Sequence, residues 1–420
     1  MTQTPNSLRI QIGIFGHTNS GKSSLLNALT NQDFSIVSPE AGTTADPVKK
    51  AMEIAGLGPV LFVDTAGFCD QTSLGEKRLE KTRDALARAD LILAVFGADE
   101  FQEKSDFENC EKNLLEENSN LEEDFFVKQI LKSEKKIIPV LTKIDLASKS
   151  QIEFAAKKIE SITKKIPVQV SSVSCEGIEN LFQRIRDEAK TDDEKSLTGN
   201  LCAAGDFVLL VMPQDIQAPK GRLILPQVQV LRDLLDKKCI VASCTADMFE
   251  QTLRTLALPP KLIVIDSQVF PLINSLRPKN CALTSFSVLM AAAKGKINLF
   301  KEGAAAIKNL NQNSRVLIAE ACAHVPQDED IGRIKIPRML KKIAGDIKID
   351  FVRGTDFPDS LTDENGAPRY DLIIHCGACM FNRAYVLHRQ SLAEAAGIPM
   401  MNYGIAIAQI SGILDEVVLP

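Results

Sequence analysis

Residues 16–23 read Gly-His-Thr-Asn-Ser-Gly-Lys-Ser. A run of this form constrains a fold when an apolar strand precedes it and a helix follows. Only then can the loop's backbone N–H groups curl around a phosphate at a helix N-terminus. Both conditions are met, since residues 10–15 read as a buried strand and residues 25–29 as the start of a helix. Apolar β-type runs at 60–63, 91–96, 137–141 and 168–170 alternate with helix-like stretches, which is how a parallel βαβ sheet reads.

A chain of 420 residues is longer than one such domain requires, so two to four domains are expected. Residues 191–200 are polar and read as a linker, which closes a first domain at 1–190. A smaller α/β unit, 197–268, follows, with strand patterns at 207–212, 240–243 and 262–266. The last unit, 269–420, has a helical run at 286–300 and strand patterns at 316–319, 347–351 and 372–374. The expected fold class is α/β: a phosphate-loop domain followed by two smaller α/β domains.

Composition excludes several classes. No run of eighteen apolar residues exists and the first seven residues lack a signal pattern, so a cytoplasmic, non-membrane protein is expected. Of the net charge of -5, residues 1–196 carry 25 basic and 32 acidic side chains (-7), and residues from 197 onward carry 24 and 22 (+2). Neither part is a basic nucleic-acid surface. The acidic stretch 99–134 and the basic run Arg333, Lys335, Arg338, Lys341 and Lys342 are each expected to be solvated faces.

The nucleotide is legible from four motifs at successive strand ends. In the loop, Gly16, Asn19, Ser20, Gly21, Lys22, Ser23 and Ser24 would surround the phosphates, with Lys22 reaching the β and γ oxygens and Ser23 on Mg2+. Asp64-Thr65-Ala66-Gly67 follows the second strand. There Asp64 can hold Mg2+ through water and the Gly67 N–H can sense a γ-phosphate. Thr142-Lys143-Ile144-Asp145 follows a third strand, and the Asp145 carboxylate can accept both N1–H and the 2-amino group of guanine. Ser171 and Ser172 follow a fourth, where a loop would touch guanine O6. The set points to a GTPase that binds GTP, GDP and Mg2+.

In detail this part resembles the GTPases of the Era and TrmE type. By that resemblance Gly42-Thr43-Thr44-Ala45-Asp46 is the first switch, with Thr44, or else Thr43, as a further Mg2+ ligand. Thr142 stands where these proteins usually carry Asn, which is expected to loosen one contact. Phe68 stands where Ras-like proteins carry the Gln that orients water, and a phenyl ring cannot make that hydrogen bond. Slow intrinsic hydrolysis is therefore expected, with Lys22, Asn19 and Thr44 as the catalytic groups. Relatives with Asn at position 19 use it to bind K+ beside the phosphates.

The cysteines supply a second chemistry. Three of the ten, Cys322, Cys376 and Cys379, lie with two of the four histidines, His324 and His375, in the pieces Cys-Ala-His and His-Cys-Gly-Ala-Cys. Both pieces follow apolar strands, so two strand ends could meet at one sheet edge, where open α/β sheets place ligands. A helix after Cys379 would aim its N-terminus at the thiolates and lower their pKa. Three thiolates with imidazole suit a structural zinc and equally an iron–sulfur cluster with one non-cysteine corner. Cys69, Cys110, Cys175, Cys202, Cys239, Cys244 and Cys281 show no ligand spacing and are expected to be buried small hydrophobes.

An Era-like GTPase followed by Cys-x-His, a gap near fifty and His-Cys-x-x-Cys resembles the HydF family, the maturation GTPases of FeFe-hydrogenases. The resemblance covers the whole chain and implies a middle dimerisation domain and a C-terminal cluster-binding domain. It implies that Cys322, Cys376 and Cys379 ligate a 4Fe-4S cluster, with His324 or His375 as a possible fourth ligand. It also implies a homodimer or tetramer that receives a diiron precursor from two radical-SAM maturases and delivers it to the apo-FeFe-hydrogenase. The alternative from the residues is an Era-like GTPase acting on RNA or the ribosome, with a structural zinc; the absence of a basic patch argues against it.

Overall fold

In the computed structural model the described residues are 4–30, 38–40, 47–65, 73–101, 125–133, 135–189, 196–212, 223–321 and 330–420. The chain divides into two compact units, Met1–Asp192 and Asp193–Pro420.

The first unit is built on seven strands: β1 (Ile10–Gly16), β2 (Ser38–Glu40), β3 (Val48–Ile54), β4 (Gly58–Asp64), β5 (Leu91–Gly97), β6 (Lys136–Thr142) and β7 (Val168–Gln169). Their order is β2-β3-β4-β1-β5-β6-β7, parallel from β4 onward, with β2 and β3 antiparallel at one edge. Alternation along β5 shows why the sheet is covered on both faces. Leu91, Leu93 and Val95 pack with Ile12, Ile14, Leu25 and Leu181 on one side. Ile92, Ala94 and Phe96 pack with Phe15, Leu86, Phe126 and Ile159 on the other. The connection after β1 crosses towards β4 and that after β5 runs the other way, so β1 borders the switch point of the sheet. The phosphate loop follows β1 directly.

The second unit holds two four-stranded parallel sheets. β8 (Phe207–Val211), β9 (Ile240–Cys244), β10 (Leu262–Ile265) and β11 (Ala282–Ser285) form one in the order β11-β10-β8-β9. Because β11 belongs to this sheet, the expected boundary at 268 cuts through it. The helical run expected at 286–300 is two helices, Phe286–Lys294 and Ile297–Gly303, which part at Gly295. The other sheet is β12 (Arg315–Glu320), β13 (Lys348–Arg353), β14 (Leu372–His375) and β15 (Met400–Asn402), in the order β13-β12-β14-β15. Its switch point lies between β12 and β14. The two are register partners up to Ala319 and His375, so both expected cysteine-bearing strand ends adjoin.

The basic run becomes a short π-turn and the helix Ile336–Ala344. Arg333 there pairs with Glu320 at 2.9 Å and Lys341 with Asp346 at 2.6 Å. Most of the acidic stretch 99–134 lies outside the described residues. No described helix is long and apolar enough to cross a membrane.

Candidate functional site

The phosphate loop is shaped by two glycines and one asparagine. A Cβ on Gly16 would lie 2.4 Å from the Val95 carbonyl oxygen, so only glycine lets β1 turn beside β5 there. Gly21 and Asn19 both have positive φ, 92° and 67°, which suits glycine and is tolerated by asparagine. The helix Lys22–Thr30 starts at once, and Lys22 Nζ reaches back across the loop to the Gly16 and His17 carbonyls at 3.1 and 2.6 Å. Burial lowers the Lys22 pKa, and Asp64 and then Glu100 oppose that shift.

Ser23 and Asp64 meet at the mouth of the loop. The Ser23 hydroxyl donates to Asp64 Oδ2 at 2.7 Å, while Asp64 Oδ1 is buried with no hydrogen-bond partner. A buried carboxylate oxygen left unpaired beside a hydroxyl is the donor set a hard cation needs, so the residues fit Mg2+. Burial raises the Asp64 pKa, opposed by Ser23 and Lys22.

Across the sheet, Thr142 does more than replace an asparagine. Its hydroxyl lies 2.6 Å from the Ser20 carbonyl and 3.1 Å from that of Phe96. Lys143, in the left-handed region at φ 58°, bridges Asp99 at 2.6 Å, and Asp145 is exposed. Ser171 is buried and its hydroxyl accepts the Val173 and Ser174 N–H groups, which shapes the turn; Ser172 is half-buried. Ser24 is exposed on the first helical turn. Thr43, Thr44, Gly67 and Phe68 lie outside the described residues.

At the third sheet, Cys376 Sγ accepts the Ala321 N–H at 3.0 Å and the Ala378 N–H at 3.4 Å. Ala321 immediately precedes Cys322, which lies with His324 outside the described residues. Among the described residues no group of three metal-binding side chains converges. Burial pushes the Cys376 thiol up to about 11 and raises that of Cys379. The lowering expected from the following helix does not prevail. That helix begins only at Arg383, with Asn382 as its cap, whereas low dielectric acts on the sulfurs directly.

His375 is 1% exposed and both ring nitrogens are engaged. Nδ1 lies 2.8 Å from the Cys376 carbonyl and Nε2 2.8 Å from Arg389 Nη1. A guanidinium can only donate, so Nε2 accepts and Nδ1 carries the proton. Burial lowers the His375 pKa to about 3, with Arg389 adding to the shift. As placed, the ring has no lone pair left for a metal. Arg389, itself 1% exposed, is stacked among Phe357, Phe381 and Tyr385 at 4.5 to 4.7 Å.

Of the other cysteines, Cys202, Cys239 and Cys281 are buried as expected and Cys244 is half-buried. Cys175 departs from the expectation: it is exposed, at φ 60° in the turn after β7. Cys69 and Cys110 lie outside the described residues.

Comparison with known proteins joins the two sites. Residues 11–143 match the family model described as 50S ribosome-binding GTPase. Residues 197–295 match the Hydrogen maturase F dimerization domain, and 298–420 the Hydrogen maturase F tetramerization domain. The chain belongs to the HydF family of hydrogenase maturase GTPases. It is accordingly an α/β protein with a P-loop GTPase domain, suited to GTP, GDP and Mg2+, followed by oligomerisation domains.

Within this HydF-type chain, residues 112–187 also match a model named for ethanolamine and propanediol utilisation. The tRNA modification GTPase MnmE of Thermoanaerobacter sp. (strain X514) is 36% identical over 178 residues, 42% of this chain and 34% of that protein. GTPase Der of Wolinella succinogenes is 49% identical over 89 residues, 20% of this chain and 19% of that protein. The chain thus spans about a third or less of the length of these curated relatives. Among solved structures, the G domain of T. maritima FeoB is 25% identical, with 43% of this chain and 99% of that one covered and a TM-score of 0.29. Aquifex aeolicus Era bound to GDP and aluminium fluoride is 20% identical over 59% of this chain and 98% of that one, with a TM-score of 0.33.

Proposed function

We propose that this protein is a GTP-hydrolysing scaffold that binds a 4Fe-4S cluster through Cys322, Cys376 and Cys379. In this role it carries a diiron precursor during assembly of the FeFe-hydrogenase active site. The observation that supports the cluster most directly is the pair of backbone N–H groups on Cys376 Sγ, one of them from the residue before Cys322. Such donors favour a thiolate, and a sulfur bound to iron has the charge to use them. When bound, the cluster would supply an iron corner not held by cysteine, to which a bridging group could attach. With both His375 nitrogens occupied, His324 or an exogenous ligand is the better candidate for that corner.

In the GTPase domain, Lys22, Ser23 and Asp64 bind and orient the triphosphate and Mg2+, and Asp145 selects guanine. Nucleotide state regulates association with partners. By the family resemblance these are two radical-SAM maturases that supply the precursor and an apo-FeFe-hydrogenase that accepts it, in a reducing cytoplasm. A dimer would form through the middle domain, where edge strand β9 leaves Ile240 61% exposed and the helix Leu225–Asp236 exposes Val228 and Leu235. Anaerobic reconstitution with ferrous iron and sulfide tests the cluster. Wild type should gain about four irons per chain and a reducible signal that Cys376→Ser loses. Zinc in place of iron, or no difference between the two proteins, would overturn this reading.

A further inference from the structure

Lys294 closes the helix Phe286–Lys294 and is 6% exposed. Its ammonium donates to the Ala378 carbonyl at 2.7 Å and the Phe381 carbonyl at 2.5 Å, with the Cys379 carbonyl 3.4 Å away. Among the described residues no carboxylate bridges it; burial lowers its pKa to about 8, opposed by Cys379 and Cys376 in their thiolate forms. Burying an ammonium without an anion is unfavourable, and a methionine would fill much of the same volume without that cost. The fold retains the cation beside two sulfurs that can become negative.

The loop between them has a matching polarity. A peptide's carbonyl and its N–H lie on opposite edges of one plane. Lys294 on the Ala378 carbonyl therefore turns the Cys379 N–H the other way. Protonated His375 Nδ1 does the same for the peptide that carries the Cys376 carbonyl. Ala378 completes the turn in the left-handed region at φ 53°. On the sulfur side, the Ala321 and Ala378 N–H groups donate to Cys376 Sγ, and the Cys379 and Met380 amides favour the Cys379 thiolate. Carbonyls drawn to a buried cation behind and amides turned to the front make a concavity for an anion.

We propose that Lys294 is a positioning residue that holds the 376–381 loop in this form and balances the negative charge of a cluster bound at Cys376 and Cys379. The inference rests on the cluster reading above. Its test compares wild type with Lys294→Gln, which keeps amide donors without charge, Lys294→Met, a second uncharged variant, and Lys294→Arg, which keeps the charge.

Each full-length protein is reconstituted anaerobically with ferrous iron and sulfide. Iron content, midpoint potential by electron paramagnetic resonance, iron loss to a chelator and the Tm gained on loading are then measured. Without the cation, reduction adds an electron to a less compensated centre. Both uncharged variants should therefore titrate at more negative potential, release iron several-fold faster and gain less Tm on loading, while Lys294→Arg stays near wild type. A purely structural lysine would lower the Tm of loaded and metal-free protein equally and leave the potential unmoved, which would overturn the proposal. So would Lys294→Arg falling as far as Lys294→Gln. Wild type that assembles no cluster would instead overturn the cluster reading itself.

Discussion

The Thr142 hydroxyl lies 2.6 Å from the Ser20 carbonyl, 122 residues away in sequence, and ties the loop that carries Asp145 to the phosphate loop. Both groups are buried, so a hydrogen bond lost here is not replaced by water. Thr142→Val keeps the shape and removes the donor, at a cost of about 1–3 kcal/mol for the stranded carbonyl. GDP and GTP should each bind on the order of tenfold more weakly, and Thr142→Ser should retain most of the affinity. Titration of a fluorescent guanine nucleotide gives the constants; unchanged binding in Thr142→Val would mean that the loops are held by other contacts.

Asp145 is exposed at the end of the same motif, where its carboxylate can accept two donors from guanine. An amide presents one acceptor and one donor, which suits the C2 carbonyl of xanthine instead. Asp145→Asn should lose GTP affinity by at least two orders of magnitude and gain affinity for xanthosine triphosphate. Competition between the two nucleotides reads the switch directly. Equal preference in wild type and variant would remove Asp145 from the base site.

Asn19 has its backbone in the left-handed region on the rim of the phosphate loop. If its side chain holds a monovalent cation beside the phosphates, GTP turnover should be several-fold faster in K+ than in Na+. K+ ions have the larger radius and the weaker hydration to displace. Asn19→Ala should remove the difference between the salts and leave the slower rate. Identical wild-type rates in the two salts would leave Asn19 with only its turn to make.

What the sequence disclosed and what it hid follow from range. The strands bearing the motifs were legible because their apolar runs are buried on both faces, and β5 coincides with its expected run to within one residue. β3 was not, since Val48-Lys49-Lys50-Ala51-Met52-Glu53-Ile54 is a half-solvated antiparallel strand near an edge, with polar residues outward. The pair Cys376 and Cys379 was visible from spacing, but its surroundings were not. Lys294 and Arg389 reach the loop from separate helices, 84 and 13 residues from Ala378 and Cys376 respectively, and nothing local in either segment marks them. The thiol direction was misjudged for a related reason: a helix N-terminus can be read from sequence, whereas burial by distant segments cannot.

Lys135 illustrates such a hidden burial away from both sites. Its ammonium donates to the Ala87 and Ala89 carbonyls at 2.7 and 2.6 Å, closing the end of the helix Ser73–Arg88. Burial lowers its pKa to about 8, with Asp90 opposing. In the unfolded chain the lysine titrates near its ordinary value of 10.5. Between these values the unfolded state binds more protons than the folded one, so the lysine's contribution to stability rises with pH from about 8 to 10.5 and is flat below. The full rise is bounded by about 3 kcal/mol. Lys135→Met loses two hydrogen bonds and is less stable at every pH, but it lacks this slope. The denaturation midpoints of wild type and variant should therefore diverge steadily between pH 8 and pH 10. Parallel midpoints across that range would show that the ammonium keeps its ordinary hydration in the folded protein.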